Sequence, residues 1–125
     1  WMFGFYDSEA QAWDQIASNA PFYLMVKAAG NDRGDGYNPG GVFGTTGYNL
    51  LTGSATAKNV LVVGAVNAVS NYTGPASVVM SGFSSWGPTD DGRIKPDVVG
   101  NGVNIYSTTS TGNTNYESMS GTSMA

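Results

Sequence analysis

Two nearly continuous apolar runs of strand length limit what this chain can fold into. They cover residues 22–29 (Phe-Tyr-Leu-Met-Val-Lys-Ala-Ala) and 59–66 (Asn-Val-Leu-Val-Val-Gly-Ala-Val), and polar residues, Asn31 and Asn67, follow them closely. Runs of this kind are typical of strands that are covered on both faces, as in parallel sheets. Because a helix is predicted ahead of the first run, the sequence predicts an α/β fold with a mostly parallel central sheet.

The residues before the first run predict an amphipathic helix over 8–19. Ser8 is expected to cap its first amides, with Gln11 completing a capping box, and Pro21 ends the pattern. Trp13 is expected in the core. Apolar residues recur at helical spacing at Ala10, Trp13, Ile16, Ala17 and Ala20.

The remaining segments predict loops and short strands. A glycine-rich irregular loop is expected over 32–54, and residues 55–58 fit either a short helical or an extended approach to the second strand. Three short extended segments are expected at 76–80, 98–99 and 103–107.

Two acids at the start of the loop raise the question of calcium. Asp32 and Asp35 partly imitate the opening of an EF-hand loop, but Val42 stands where the bidentate glutamate would be and Arg33 occupies a ligand position. We therefore expect solvated turn carboxylates and no metal or other cofactor.

Length and charge exclude several functional classes. The 125 residues suffice for one domain and not for two. A net charge of -4 without a run of lysine or arginine argues against nucleic acid and against a membrane surface as partners. The absence of cysteine excludes disulfides and thiolate metal sites.

The segment 120–125 (Ser-Gly-Thr-Ser-Met-Ala) contains the candidate nucleophile, Ser123. A glycine two positions earlier favours a sharp turn that would expose the serine hydroxyl. If the fold brings the strand end at Asn31 to this turn, the amide could donate to an oxyanion formed during acyl transfer. The chain has no histidine, so it contains no base of the usual kind for Ser123.

Five sequence blocks, in this order, resemble subtilisin-like serine proteases. The resemblance implies that Ser123 is the nucleophile, that Asn31 belongs to the oxyanion hole, and that Ala29 and Gly30 form one wall of the pocket for the residue preceding the scissile bond. It also implies a structural role for residues 95–97. The blocks are 28–31 (Ala-Ala-Gly-Asn), 59–65 (Asn-Val-Leu-Val-Val-Gly-Ala), 83–88 (Phe-Ser-Ser-Trp-Gly-Pro), 95–97 (Lys-Pro-Asp) and 121–125 (Gly-Thr-Ser-Met-Ala).

The same resemblance implies that the chain is incomplete. In this family the triad follows the order Asp, His, Ser, so the first two members are expected before Trp1, and the helix that begins at the serine is expected to continue after Ala125. We therefore expect residues 1–125 to be a fragment of a single subtilisin-like peptidase catalytic domain, an incomplete three-layer fold. Its partners would be a peptide or protein substrate and the missing upstream part of the domain, and the isolated chain would be inactive. The resemblance also implies secretion, and we expect a pocket for small to medium apolar side chains.

Two alternatives remain at this point. A non-catalytic pseudoprotease or secreted binding scaffold would keep the fold without the chemistry. An α/β-hydrolase would use Gly121 and Ser123 as its nucleophile elbow, but Ala125 replaces the second glycine and residues 116–120 are polar where a buried strand should lie.

Overall fold

A three-stranded parallel sheet forms the centre of the chain. The computed structural model describes residues 3–36 and 47–125. The strands are β1 (Val26–Ala28), β2 (Leu61–Val66) and β3 (Val98–Asn101), and β2 lies between the other two. Both pairings are parallel. The predicted α/β class with a mostly parallel sheet is therefore confirmed.

The central strand is the buried one. Val63 pairs with Ala28 of β1 on one side and with Val98 of β3 on the other. Val62 is fully buried, whereas Val26 at the outer edge of β1 is 60% exposed. The second apolar run was thus predicted correctly as a buried strand.

The first apolar run contains a strand, but the strand is shorter than predicted. Only Val26–Ala28 is extended, and Phe22, Tyr23 and Leu24 are exposed. The chain turns after the helix, where the Tyr23 amide donates to the Ala20 carbonyl, so the beginning of the run connects the helix to the sheet. Among the described residues β1 pairs only with β2 and is therefore an edge strand. None of its three side chains is fully buried, so it lacks the cover on both faces that the pattern predicted.

The predicted helix is present as α1 (Ser8–Asn19), but its cap was assigned to the wrong residue. Asp7 caps the helix by accepting from the Ala10 amide at 2.9 Å. Ser8 is already the first helical residue, and a capping side chain must stand just before it. Trp13 packs against the core as expected, whereas Ile16 on the predicted apolar stripe is 52% exposed.

Asp14 attaches α1 to the start of β2. Its carboxylate accepts from the backbone amides of Lys58 (2.9 Å) and Asn59 (2.7 Å) and from the Tyr6 hydroxyl (2.7 Å). Burial alone would raise the pKa of this carboxyl, but these hydrogen bonds outweigh burial and the pKa is lowered. The core beside it contains Ala10, Met25, Ala29, Leu51, Ala55, Ala57, Val60 and Val62.

An antiparallel hairpin follows the sheet. It consists of β4 (Ile105–Thr108) and β5 (Tyr116–Met119), and the rings of Tyr106 and Tyr116 stack with centroids 5.6 Å apart. The extended segment predicted at 103–107 corresponds to β4, but β5 was not predicted. Its side chains are mostly exposed, so its sequence has no apolar run to reveal it.

The predictions for the remaining short segments and the long loop are partly correct. The segment 98–99 lies in β3 as expected, but 76–80 was wrongly predicted to be a strand: Pro75–Ser77 is a 3-10 turn and Met80 makes a single bridge to Val66. The predicted loop 32–54 contains the 3-10 turn Asp32–Gly34 and leads into another at Gly53–Thr56. Val42, used to argue against calcium, lies outside the described residues.

Candidate active site

The turn that contains Ser123 is attached to the end of β2 through two glycines. The Gly102 amide donates to the Val66 carbonyl at 3.2 Å, and the Gly121 amide donates to the Gly102 carbonyl at 2.9 Å. A Cβ on Gly102 would lie 2.6 Å from the Gly121 carbonyl oxygen, so this close approach requires glycine. The turn is thereby held at the carboxyl end of the parallel sheet, with Ser123 exposed.

Thr122 joins the serine turn to the end of β1. Its backbone amide donates to Asn31 Oδ1 at 2.9 Å, and its hydroxyl donates to the same oxygen at 3.0 Å. The Gly30 amide in turn donates to Thr122 Oγ1 at 3.1 Å. The buried threonine therefore fixes both Gly30 and Asn31 relative to the residue that follows it, Ser123.

These bonds also determine which end of the Asn31 amide is available. Two donors of Thr122 meet one atom of the amide, so that atom must be the oxygen. The nitrogen is then the other end of the amide, and it lies on the side of Gly121: a Cβ on Gly121 would be 3.6 Å from Nδ2. An amide held in this way can donate a hydrogen bond without first reorganising, which is what oxyanion stabilisation requires.

All four residues that the sequence analysis assigned to the site lie around one cavity of about 520 Å³. Ser123 and Asn31 are exposed there, Ala29 is buried, and Gly30 has a φ of 109°, which a residue with a side chain rarely adopts. Other residues along the cavity are Asp7, Glu9, Lys27, Ala28, Thr52, Gly53, Ser54, Ala55 and Thr122.

Sequence reasoning missed the residues that hold the site in place. Ser85 Oγ accepts from the Asp32 amide at 3.0 Å and donates to Asp32 Oδ2 at 3.3 Å, which fixes the backbone directly after Asn31. Asp32 is thus half-buried rather than the solvated turn residue we expected, whereas Asp35 is exposed. Ser85 and Thr122 both lie inside the blocks that carry the family resemblance, and that was the only signal for them.

Residues 95–97 are hydrogen-bonded to the beginning of β2. The buried Lys95 ammonium donates to the Val60 carbonyl at 2.9 Å and to Asp97 Oδ2 at 2.7 Å. The same carboxylate oxygen accepts from the Val62 amide at 2.7 Å. These bonds connect the segment just before β3 with the beginning of β2. They are in keeping with the structural role predicted for the segment.

Among the residues that the structure describes, the site contains no histidine that could act as a base for Ser123. The sequence has no histidine, and the ionisable side chains along the cavity are Asp7, Glu9 and Lys27.

Within residues 3–36 and 47–125, no cluster of three or more acidic, histidine or cysteine side chains is able to hold a metal ion. Nor does any helix in these ranges have the length and apolar character to cross a membrane.

The parallel sheet with its flanking helix defines an α/β protein, and the turn at its carboxyl edge presents a candidate serine nucleophile. The chain belongs to the subtilase family, whose family model matches residues 3–125. This match supports a serine protease function for the domain.

Several proteases are similar to this chain. Pyrolysin of Pyrococcus furiosus is 36% identical over 127 residues, covering 95% of this chain and 9% of pyrolysin. The Subtilisin-like protease SBT6.1 of Arabidopsis thaliana is 38% identical over 117 residues, covering 92% of this chain and 9% of that protein. The C5a peptidase of Streptococcus pyogenes is 52% identical over 46 residues, covering 37% of this chain and 4% of the peptidase. This chain therefore spans less than a tenth of the length of each of these relatives.

A solved structure also resembles the chain. The CspB protease of Clostridium perfringens aligns with 62% of this chain and 15% of its own, at 35% sequence identity and a TM-score of 0.48.

Proposed function

We propose that this chain carries the nucleophile and one side of the oxyanion hole of a serine endopeptidase that acts on peptide or protein substrates. The observation that carries the proposal is the Thr122 linkage, which brings the Asn31 amide and Ser123 to one cavity. Ala29 and Gly30 line the same cavity and are proposed as the wall beside the residue preceding the scissile bond.

Each residue has a defined part in the proposed reaction. Ser123 Oγ attacks the scissile carbonyl carbon while its proton passes to a base, and the negative charge on the carbonyl oxygen is met by Asn31 Nδ2 and the Ser123 amide. The C–N bond then breaks, the amine leaves with the proton, and water hydrolyses the acyl-enzyme to release the acid and restore Ser123.

The base is proposed to come from an upstream part of the same domain that supplies the histidine and aspartate. Since a serine hydroxyl is a weak nucleophile without such a base, the isolated chain is expected to be inactive. Family membership is also our ground for placing the protein outside the cell as a secreted enzyme.

Labelling with a serine-reactive fluorophosphonate tests this function. The probe would be applied to the 125-residue chain and to the protein extended in both directions along its reading frame, called the extended protein below. We expect labelling of the extended protein only, and its loss in Ser123→Ala. A Ser110→Ala variant, in the exposed loop of the hairpin, is the matched control and should label normally.

A non-catalytic scaffold is the second candidate, and the observation that favours it is the absence of histidine from the sequence. An extended protein that folds but does not label would support the scaffold and contradict the peptidase. The α/β-hydrolase alternative has lost its support, because Ser123 follows an exposed antiparallel strand instead of a buried parallel one and the chain is a subtilase.

A further inference from the structure

Glu9 brings a carboxylate to the cavity that contains Ser123, where it lies against the wall formed by Gly53 and Ser54. Glu9 Oε1 accepts from the Ser54 amide at 3.2 Å, so the side chain is directed from the first turn of α1 toward Gly53–Thr56. A Cβ on Gly53 would lie 2.5 Å from Glu9 Oε2. The φ of Gly53, 52°, also favours glycine at this position. The wall is therefore shaped to admit this carboxylate.

Glu9 retains acceptor capacity for a ligand. Within the described ranges, Oε1 is the only oxygen of this carboxylate for which a hydrogen bond is found, which leaves Oε2 to accept. Asp7 also lines the cavity, but its Oδ1 caps α1. Among the described residues that line the cavity, Lys27 is the only cation, and no ion pair found between described residues includes it.

Ser54 contributes a second polar group at this cavity. It lines the same cavity, is only 1% exposed, and its Oγ has no hydrogen-bond partner among the described residues. A buried hydroxyl without a partner costs free energy, which a bound hydrogen-bonding group would recover. The backbone amide of the same residue bonds to the Glu9 carboxylate, so the unpartnered hydroxyl belongs to the residue directly beside that carboxylate.

We propose that this cavity binds a basic side chain of the peptide substrate, lysine or arginine, and that Glu9 is the residue that selects it. The inference rests on the proposed peptidase function and replaces the small to medium apolar side chain expected from the sequence. An ammonium or guanidinium group supplies donors for both Glu9 Oε2 and Ser54 Oγ. Its positive charge is also attracted to the negative charge of the carboxylate. An apolar side chain would leave the buried Ser54 Oγ without a partner and would offer no charge to the Glu9 carboxylate.

The test compares two peptide substrates that differ only in the residue before the scissile bond, lysine in one and norleucine in the other. Norleucine has nearly the same stem without the ammonium group, so the ratio of the two kcat/KM values isolates the charge. With the extended protein we expect lysine to be preferred, and Glu9→Gln to lower the ratio by roughly 10- to 100-fold, as for loss of a hydrogen bond to a charged group. Partial misfolding would lower both rates together and leave the ratio unchanged.

Glu117→Gln is the matched control, because Glu117 is exposed on β5 and does not line the cavity; its ratio should equal that of the parent. A preference for norleucine, or a ratio that Glu9→Gln does not change, would overturn the inference. If fluorophosphonate still labels Ser123 in that protein, the peptidase function stands and only the substrate class is wrong. Absence of labelling would overturn both.

Discussion

Thr122 donates two hydrogen bonds to Asn31 Oδ1, at 2.9 Å from its backbone nitrogen and at 3.0 Å from its hydroxyl. The neighbour of the candidate nucleophile thus orients the candidate oxyanion donor directly. Movement of the Asn31 amide relative to Thr122 would require these hydrogen bonds to break.

Replacing the hydroxyl in Thr122→Val should slow the reaction without abolishing it. The backbone bond to Asn31 remains, but Asn31 loses one of its two anchors and the Gly30 amide loses its acceptor. We expect the rate constant for fluorophosphonate labelling of the extended protein to fall about 10-fold, corresponding to about 1.4 kcal/mol. Thr108→Val, at an exposed position of β4, should label at the parental rate, and equal rates for both variants would contradict the role given to Thr122.

Asn31→Asp separates the anchor from the donor. Aspartate still offers an oxygen to Thr122, but it places a second, negatively charged oxygen where the amide nitrogen stood. If Asn31 Nδ2 stabilises the oxyanion, kcat of the extended protein on a peptide substrate should fall by about 10²- to 10³-fold or more, with a much smaller change in KM. Asn67→Asp, in the exposed segment after β2, supplies the comparison. A kcat within a factor of two of the parent would remove Asn31 from the oxyanion hole.

Gly102→Ala should displace the serine turn from the sheet. Its Cβ would lie 2.6 Å from the Gly121 carbonyl oxygen and 2.7 Å from the Ala65 Cβ, so the backbone must shift. We expect loss of labelling at Ser123 and a lower free energy of unfolding, by about 1–3 kcal/mol, measured by urea unfolding of the extended protein. The matched change Gly82→Ala, where a Cβ meets no atom within 4 Å, should affect neither quantity. Normal labelling of Gly102→Ala would show that the turn does not need this contact.

Asp14→Asn should make the stability of the protein less dependent on pH. The pKa of Asp14 is lowered in the folded state, so its ionised form stabilises the fold above the unfolded pKa of about 3.9, and this contribution is lost as pH falls through the lower folded value. At neutral pH we expect the variant to be about 1–3 kcal/mol less stable in urea unfolding, because one acceptor oxygen is replaced by a donor facing backbone amides. The difference should shrink below about pH 4.

The exposed carboxylate of Asp35 provides the control for that experiment. Asp35→Asn should follow the parent at every pH. A deficit of Asp14→Asn that stays constant from neutral pH to pH 2 would contradict the assignment, because the ionised form would then not be the source of the stability.

The central features of the fold could be predicted from sequence because they depend on local patterns. The helix at Ser8–Asn19 and the buried strand Leu61–Val66 follow from the spacing and continuity of apolar residues. The strand predicted over 22–29 was too long, since an apolar run does not reveal whether other chain segments cover it. β5 could not be predicted, because an exposed hairpin strand is defined by its pairing and has no apolar face.

The site was only partly predictable, for a related reason. Ser123 and Asn31 could be named from residue type and family resemblance, but their proximity depends on contacts between distant parts of the sequence. Thr122, Ser85 and Glu9 act through hydrogen bonds to backbone or side-chain atoms that are 45 to 92 positions away. Such partners leave no periodic or spaced pattern, so sequence reasoning could not pair them.

The two ends of the hairpin formed by β4 and β5 are hydrogen-bonded to each other. The Gly121 amide bonds to the Gly102 carbonyl, so the chain leaves the sheet at one glycine and returns to it at the other. Changes in the length of the loop between Thr108 and Tyr116 are therefore confined to the excursion and need not move Ser123. We therefore expect this part of the protein to accept insertions and deletions without displacement of the nucleophile.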